Sequence, residues 1–195
     1  WDMTTSGGND EANTSGNSSQ CYYHGFLCDT TGGYNSIKLR IANGTIFSGQ
    51  ADGHLYVAIY DAYSDNDAKP RPRKLLTSGS ESFPGIFLGN YNDKYIDFSV
   101  PSTDLTRNNF YFVMYAWMGV GDGSQRLLNL YGSASHIANH EANSMARRRA
   151  IGAGGPLIEE LTTGQTNTNN KAAFWFTVYG PQTAAGASQG PTGPA

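Results

Sequence analysis

His54-Leu55-Tyr56-Val57-Ala58-Ile59-Tyr60-Asp61 and Phe110-Tyr111-Phe112-Val113-Met114-Tyr115-Ala116-Trp117-Met118 each alternate two sets of side chains. In the first, Leu55, Val57 and Ile59 fall on one face and Tyr56, Ala58 and Tyr60 on the other. In the second, Phe110, Phe112, Met114 and Ala116 oppose Tyr111, Val113, Tyr115 and Trp117. A period of two, rich in β-branched and aromatic residues, specifies strands rather than helix. The second run is apolar or aromatic on both faces, so it is expected at the centre of a sheet.

Working outward, a polar loop spans Asp61 to Lys69, and Pro70-Arg71-Pro72 forbids a central strand there. Lys74–Thr77 reads as a short edge strand ended by Ser78-Gly79. Lys94–Val100 alternates again, with Ile96, Phe98 and Val100 inward, and Pro101 is expected to stop it. Ser102 to Asn109 turns into the 110–118 strand. Upstream, Ile37, Leu39 and Ile41 alternate with Lys38 and Arg40, a strand with one wet face. Downstream, Gln125–Tyr131 and Ala173–Tyr179 complete the set. The segment from Ala134 to Ala150 stays open between a short helix and an irregular excursion, and Thr162 to Asn170 reads as a polar loop. The fold class is therefore all-β: an antiparallel, jelly-roll-like β-sandwich of about seven to eight strands.

The flanks differ in composition. Residues 2–20 are almost entirely Gly, Ser, Thr, Asn and acids, too polar to fold alone, so 1–20 reads as a flexible arm or a strap against a neighbour. Tyr22, Tyr23, Phe26 and Leu27 would anchor its end to the sandwich of residues 21–180. Residues 181–195 form a Pro/Gly-rich linker closing on Gly190-Pro191-Thr192-Gly193-Pro194-Ala195, two Gly-X-Y triplets. Collagen needs Gly at every third place because only Gly fits the axis of three chains, so this tail points to a homotrimer; a plain linker is the alternative. The chain opens on Trp1, so a removed leader or a late start is expected and no targeting signal is legible.

Composition excludes some functions. A net charge of −3 gives no general attraction for nucleic acid. No run approaches the roughly 18 apolar residues of a membrane span. Charged residues are only 15%, against 12% aromatics and 24 glycines, which suits a loop-rich extracellular domain better than a helical cytosolic enzyme.

Candidate chemistry is sparse. His136 and His140 sit four apart, but Glu141 follows the second histidine, where a zinc protease needs it after the first. Arg147-Arg148-Arg149 reads as a solvated basic loop, and adjacent Glu159 and Glu160 would point to opposite faces of a strand, unlike a glycosidase pair. No nucleophile is placed beside a base, so the expectation is no enzyme and no cofactor. Asp61, Asp65, Asn66 and Asp67 supply oxygens that suit calcium, in a spacing unlike an EF-hand, or simply make turns. Cys21 and Cys28 leave open a disulfide, a metal site with His24, or free thiols. The aromatics Tyr56, Tyr60, Tyr111, Tyr115 and Trp117 suit sugar stacking or an interface. Asn13, Asn17 and Asn43 are formal glycosylation acceptors.

Ile59-Tyr60-Asp61, the Pro70 to Pro72 loop, Leu75-Leu76-Thr77-Ser78-Gly79 and Leu105 leading into Phe110-Tyr111-Phe112-Val113 carry a resemblance. The 54–131 stretch is similar to a β-sandwich module of tailed-bacteriophage fibre and appendage proteins. It departs from that module at Arg107-Asn108-Asn109, where a Gly is usual, and in the insertion at 132–170. The resemblance implies a virion-surface or extracellular protein held among other virion proteins, and collagen-like segments beside such heads agree with the tail. The expected function is adhesion to a host-surface glycan by a fibre, spike or capsid-decorating head, with Tyr60, Tyr63, Asp65, Asn66, Asp67 and Trp117 as contacts. A secreted carbohydrate-binding module and an architectural subunit of a shell or filament are the alternatives.

Overall fold

The computed structural model describes residues 10–12, 20–40, 53–63, 70–83, 95–119, 130–132, 145–149, 156–162, 164–168 and 176–180. The alternating runs fold as strands β4 (Gly53–Ala62) and β7 (Phe110–Gly119), paired antiparallel with Leu55 opposite Trp117 and Ile59 opposite Val113. The chain also forms β1 (Asp10–Ala12), β2 (Gln20–Leu27), β3 (Gly32–Arg40), β5 (Pro72–Phe83) and β6 (Tyr95–Leu105). After β7 come β8 (Leu130–Gly132), β9 (Met145–Arg149), β10 (Asn167–Thr168) and β11 (Phe176–Tyr179). Among the described residues there is no helix, hence none long and apolar enough to cross a membrane.

A six-stranded sheet runs in the order β10-β9-β2-β7-β4-β5 and a three-stranded sheet in the order β11-β3-β6; β1 and β8 form a separate ladder. All ladders are antiparallel, and the chain crosses between sheets after β2, β3, β5 and β6, the habit of a jelly roll. Period two sorts β2, β4 and β7 of the large sheet into two clusters. Tyr22, Phe26, Leu55, Val57, Ile59, Tyr111, Val113, Tyr115 and Trp117 face the small sheet's Ile37, Leu39, Ile96, Phe98, Phe176 and Val178, forming the inter-sheet core. Cys21, Tyr23, Ala58, Tyr60, Phe112, Met114 and Ala116 point the other way, where Leu157, Ile158 and Leu161 cover them. Segment 156–162 is therefore a strap over the back of the large sheet. Its backbone is tied to β5 by Leu75 N–H to Glu159 O (2.9 Å) and Leu161 N–H to Arg73 O (2.8 Å). This second apolar layer explains why β7 is greasy on both faces.

Several expectations are corrected. Lys74–Thr77 is part of a twelve-residue strand, not a short one, and Gly79 lies inside it. A Cβ on Gly79 would sit 2.9 Å from the Ser99 carbonyl, so the missing side chain lets β5 approach β6. Thr77 Oγ1 donates to the Pro101 carbonyl at 2.7 Å across the same seam. Pro101 does not stop β6, because β6 is at a sheet edge and Pro101 falls where the register with β3 shifts between Tyr34 and Ser36. A bulged edge position needs no ladder N–H. Residues 20–27, read as an anchor, are an interior strand between β9 and β7. Within the arm, Asp10–Ala12 pairs with β8. Of the 134–150 segment, Met145–Arg149 is a strand against β2, neither helix nor loop, so the arginine triplet belongs to a ladder. Asn167–Thr168, expected in a loop, pairs with β9.

The disulfide expectation also falls. Cys21 and Cys28 are both buried and form no disulfide. They are seven residues apart along and just past one strand, about 23 Å at roughly 3.3 Å per residue, whereas a disulfide needs Cα atoms within about 7 Å. The odd spacing also sends them to opposite faces: Cys21 to the outer cluster, Cys28 to the inter-sheet core. The same geometry separates Cys21 from His24, which is buried with its ring edge-on to Phe176 at 5.2 Å.

Candidate functional site

Antiparallel strands that run the same way end at the same place. β4 and β6 finish, and β5 and β7 begin, at one end of the sandwich. The β2–β3 loop closes against it: Cys28 N–H bonds Asn109 O (2.9 Å), Asn108 N–H bonds Cys28 O (2.8 Å) and Arg107 N–H bonds Thr31 Oγ1 (2.8 Å). The β6–β7 turn is tight, with Asn109 N–H to Thr106 O at 3.1 Å and Asn108 at φ 67°. Asn is one of the few residues with a Cβ that visits this left-handed region readily. It does here what a glycine would do.

At this end lies a cleft of about 460 Å³ lined by Asp61, Ala62, Tyr63, Arg73, Leu76, Asp104, Asn108, Asn109, Phe110 and Tyr111. That volume falls in the roughly 300–1,000 Å³ range of small-molecule sites. One wall is an ion pair. Arg73 Nε donates to Asp61 Oδ1 at 3.1 Å, its Nη2 donates to Oδ2, and Lys74 N–H adds a bond of 2.7 Å to Oδ1. The Asp61 carboxylate holds the Arg73 guanidinium above its ordinary pKa, through the hydrogen bonds first and charge second. The guanidinium also lies 5.9 Å from the Tyr63 ring centroid, and the Tyr63 hydroxyl donates to Leu161 O of the strap. The opposite wall is different. Asp104, Asn108 and Asn109 are exposed, and their side chains make no hydrogen bond or ion pair among the described residues. The Tyr111 hydroxyl accepts from Thr106 N–H at 2.9 Å, and its ring is buried in the inter-sheet core beneath the cleft. Phe110 is half-buried beside it.

Beside the cleft, the turn fixes a buried phenol. Tyr34 donates to Thr30 O at 2.8 Å and lies 3.6 Å from Cys28 Sγ. Burial, then the Cys28 contact, pushes its pKa above the ordinary tyrosine value.

The expected contacts divide. Tyr63 lines the cleft. Tyr60 does not: it is fully buried under the strap, and its hydroxyl donates to Ile158 O at 3.1 Å. Trp117 is 7% exposed inside the inter-sheet core, with Tyr111 and Tyr115. Neither Tyr60 nor Trp117 can meet a glycan, because they lie on opposite faces of the large sheet and both faces are covered, one by the strap and the other by the small sheet. Asp65, Asn66 and Asp67 lie outside the described residues, as do His136, His140, Glu141, Asn13, Asn17 and Asn43. Asp61, read as a calcium oxygen, is instead committed to Arg73. Glu159 and Glu160 are exposed on the strap. Tyr95, 43% exposed, starts β6 at the end away from the cleft, with Lys38 and Arg40 each 5.7 Å from its ring centroid.

Asp104, Asn108, Asn109, Arg73 and Phe110 were missed. The legible signal was parity: in a run of antiparallel strands, the 62–71 connection and the 106–109 turn must share an end. No protein-family model, curated protein or solved structure matches this chain. What fold and cleft define is an all-β sandwich with a mixed polar–aromatic pocket at one end.

Proposed function

We propose that this domain works by contact rather than catalysis, holding a surface carbohydrate in the end cleft. The observation that carries the reading is the pairing of unspent polar groups with partly exposed aromatic lining: Asp104, Asn108 and Asn109 beside Phe110 and Tyr63. A sugar presents hydroxyls that both donate and accept, plus C–H faces that rest on rings. A carboxylate accepts from hydroxyls, an amide does both, and the rings take the apolar face. The host-surface setting, on a virion fibre, spike or capsid decoration, follows from the resemblance of the 54–131 stretch. The Gly-X-Y tail supports a trimer, in which three weak sites on one particle would act with far greater combined avidity.

Asn108→Gly tests this without disturbing the turn, since Gly accepts φ 67° and only the amide is lost. On a glycan array followed by titration of the intact chain, the parent protein binds and the variant binds about tenfold more weakly, the worth of roughly one hydrogen bond. No binding to any glycan, or equal binding by the variant, overturns the proposal.

A further inference from the structure

The cleft contains two carboxylates and one guanidinium, and the three are not equivalent. Arg73 spends Nε and Nη2 on Asp61, and Asp61 takes a further bond from Lys74 N–H. That pair is closed on itself and neutral in sum. Asp104 has no such partner: its carboxylate makes no hydrogen bond or ion pair among the described residues and is exposed at the opposite wall. Asn108 and Asn109 add dipoles but no charge. Arg107, their neighbour in the turn, is exposed and does not line the cleft. Among the described lining residues, the charge left over for a ligand is therefore negative, and it comes from one residue.

We infer that the cleft selects sugars by charge, taking neutral sugars and favouring those that carry an ammonium, while rejecting those that carry a carboxylate. The inference rests on the carbohydrate reading and adds the ligand class to it. An ammonium near Asp104 gains a charge-assisted hydrogen bond in place of a neutral one. A carboxylate there meets like charge, with the Arg73 charge already neutralised. Even at water-like screening, unit charges about 5 Å apart change affinity about fourfold in each direction. A hydrophobic or purely aromatic cleft would show no such ordering.

The test titrates the full chain with methyl glycosides of glucose, galactose and mannose, with the 2-amino counterparts and with the uronic acids. The readout is the NMR shift of the Asn108 and Asn109 side-chain amides. The amino sugars bind about sixteenfold tighter than the uronates, with neutral members about fourfold from each, and Asp104→Asn collapses that ordering while neutral sugars still bind. Uronates binding as well as amino sugars overturns the charge selection and leaves the carbohydrate reading standing. An ordering that survives Asp104→Asn overturns the assignment to Asp104. No shift with any sugar overturns both.

Discussion

Tyr34 shows how a single buried hydroxyl ties stability to pH. It sits at the mouth of the β2–β3 loop, bonded to Thr30 O, with Cys28 Sγ alongside. Its folded pKa is raised, by burial first and then by the thiol contact. The unfolded chain therefore releases this proton first. The stabilisation is complete below pH of about 10, the ordinary tyrosine value, and declines as pH climbs past it. Tyr34→Phe costs about 1 kcal/mol at neutral pH through the lost hydrogen bond. It also makes the alkaline decline shallower, because that proton no longer distinguishes the two states. Urea midpoints for both proteins from pH 7 to 11.5 check this; parallel declines would contradict it.

At the scale of elements, the strap is what makes the large sheet usable. Without segment 156–162 the back of β4, β7 and β2 would expose Tyr60, Met114 and Tyr23 to water. Tyr60 is the peg: its hydroxyl donates to Ile158 O at 3.1 Å and accepts from Ile158 N–H at 3.3 Å. Tyr60→Phe keeps the ring and removes both bonds, so it destabilises the protein by about 1–2 kcal/mol and speeds exchange of the Leu161 amide. An unchanged urea midpoint would show the strap held by apolar contact alone. The strap was hard to read because Leu157, Ile158 and Leu161 follow no period. Tyr60, for one, is 98 residues from Ile158 along the chain, and nothing local announces the cover. β4 and β7 were legible because period two is local. β2 was hidden because Gly25 and His24 interrupt an otherwise alternating run whose inward residues are Tyr22, His24 and Phe26.

For the whole molecule, β2 and β7 belong to both clusters at once, so the two layers are expected to melt together. The cysteines report on each: Cys28 in the inter-sheet core and Cys21 in the outer cluster. In Cys21→Ala and Cys28→Ala variants the remaining thiol becomes reactive at the same urea midpoint as global unfolding, and reductant leaves the parent protein's Tm unchanged. A Cys21 thiol that labels well before that midpoint would mean that the strap opens alone. The cleft was only partly legible for a related reason. Tyr63 was found from its place beside an acidic loop, whereas Asp104 and Asn109 join it only once the strands are stacked and their ends aligned. Lastly, the seam between β5 and β6, where Gly79 permits contact and Thr77 caps the carbonyl of Pro101, has a bearing on life in a crowd. Strand borders normally invite foreign backbones to dock and zipper into fibrils. Here a proline lacking an amide and a side-chain latch leave such an intruder little to grip, so many copies can stand shoulder to shoulder without fusing along that flank.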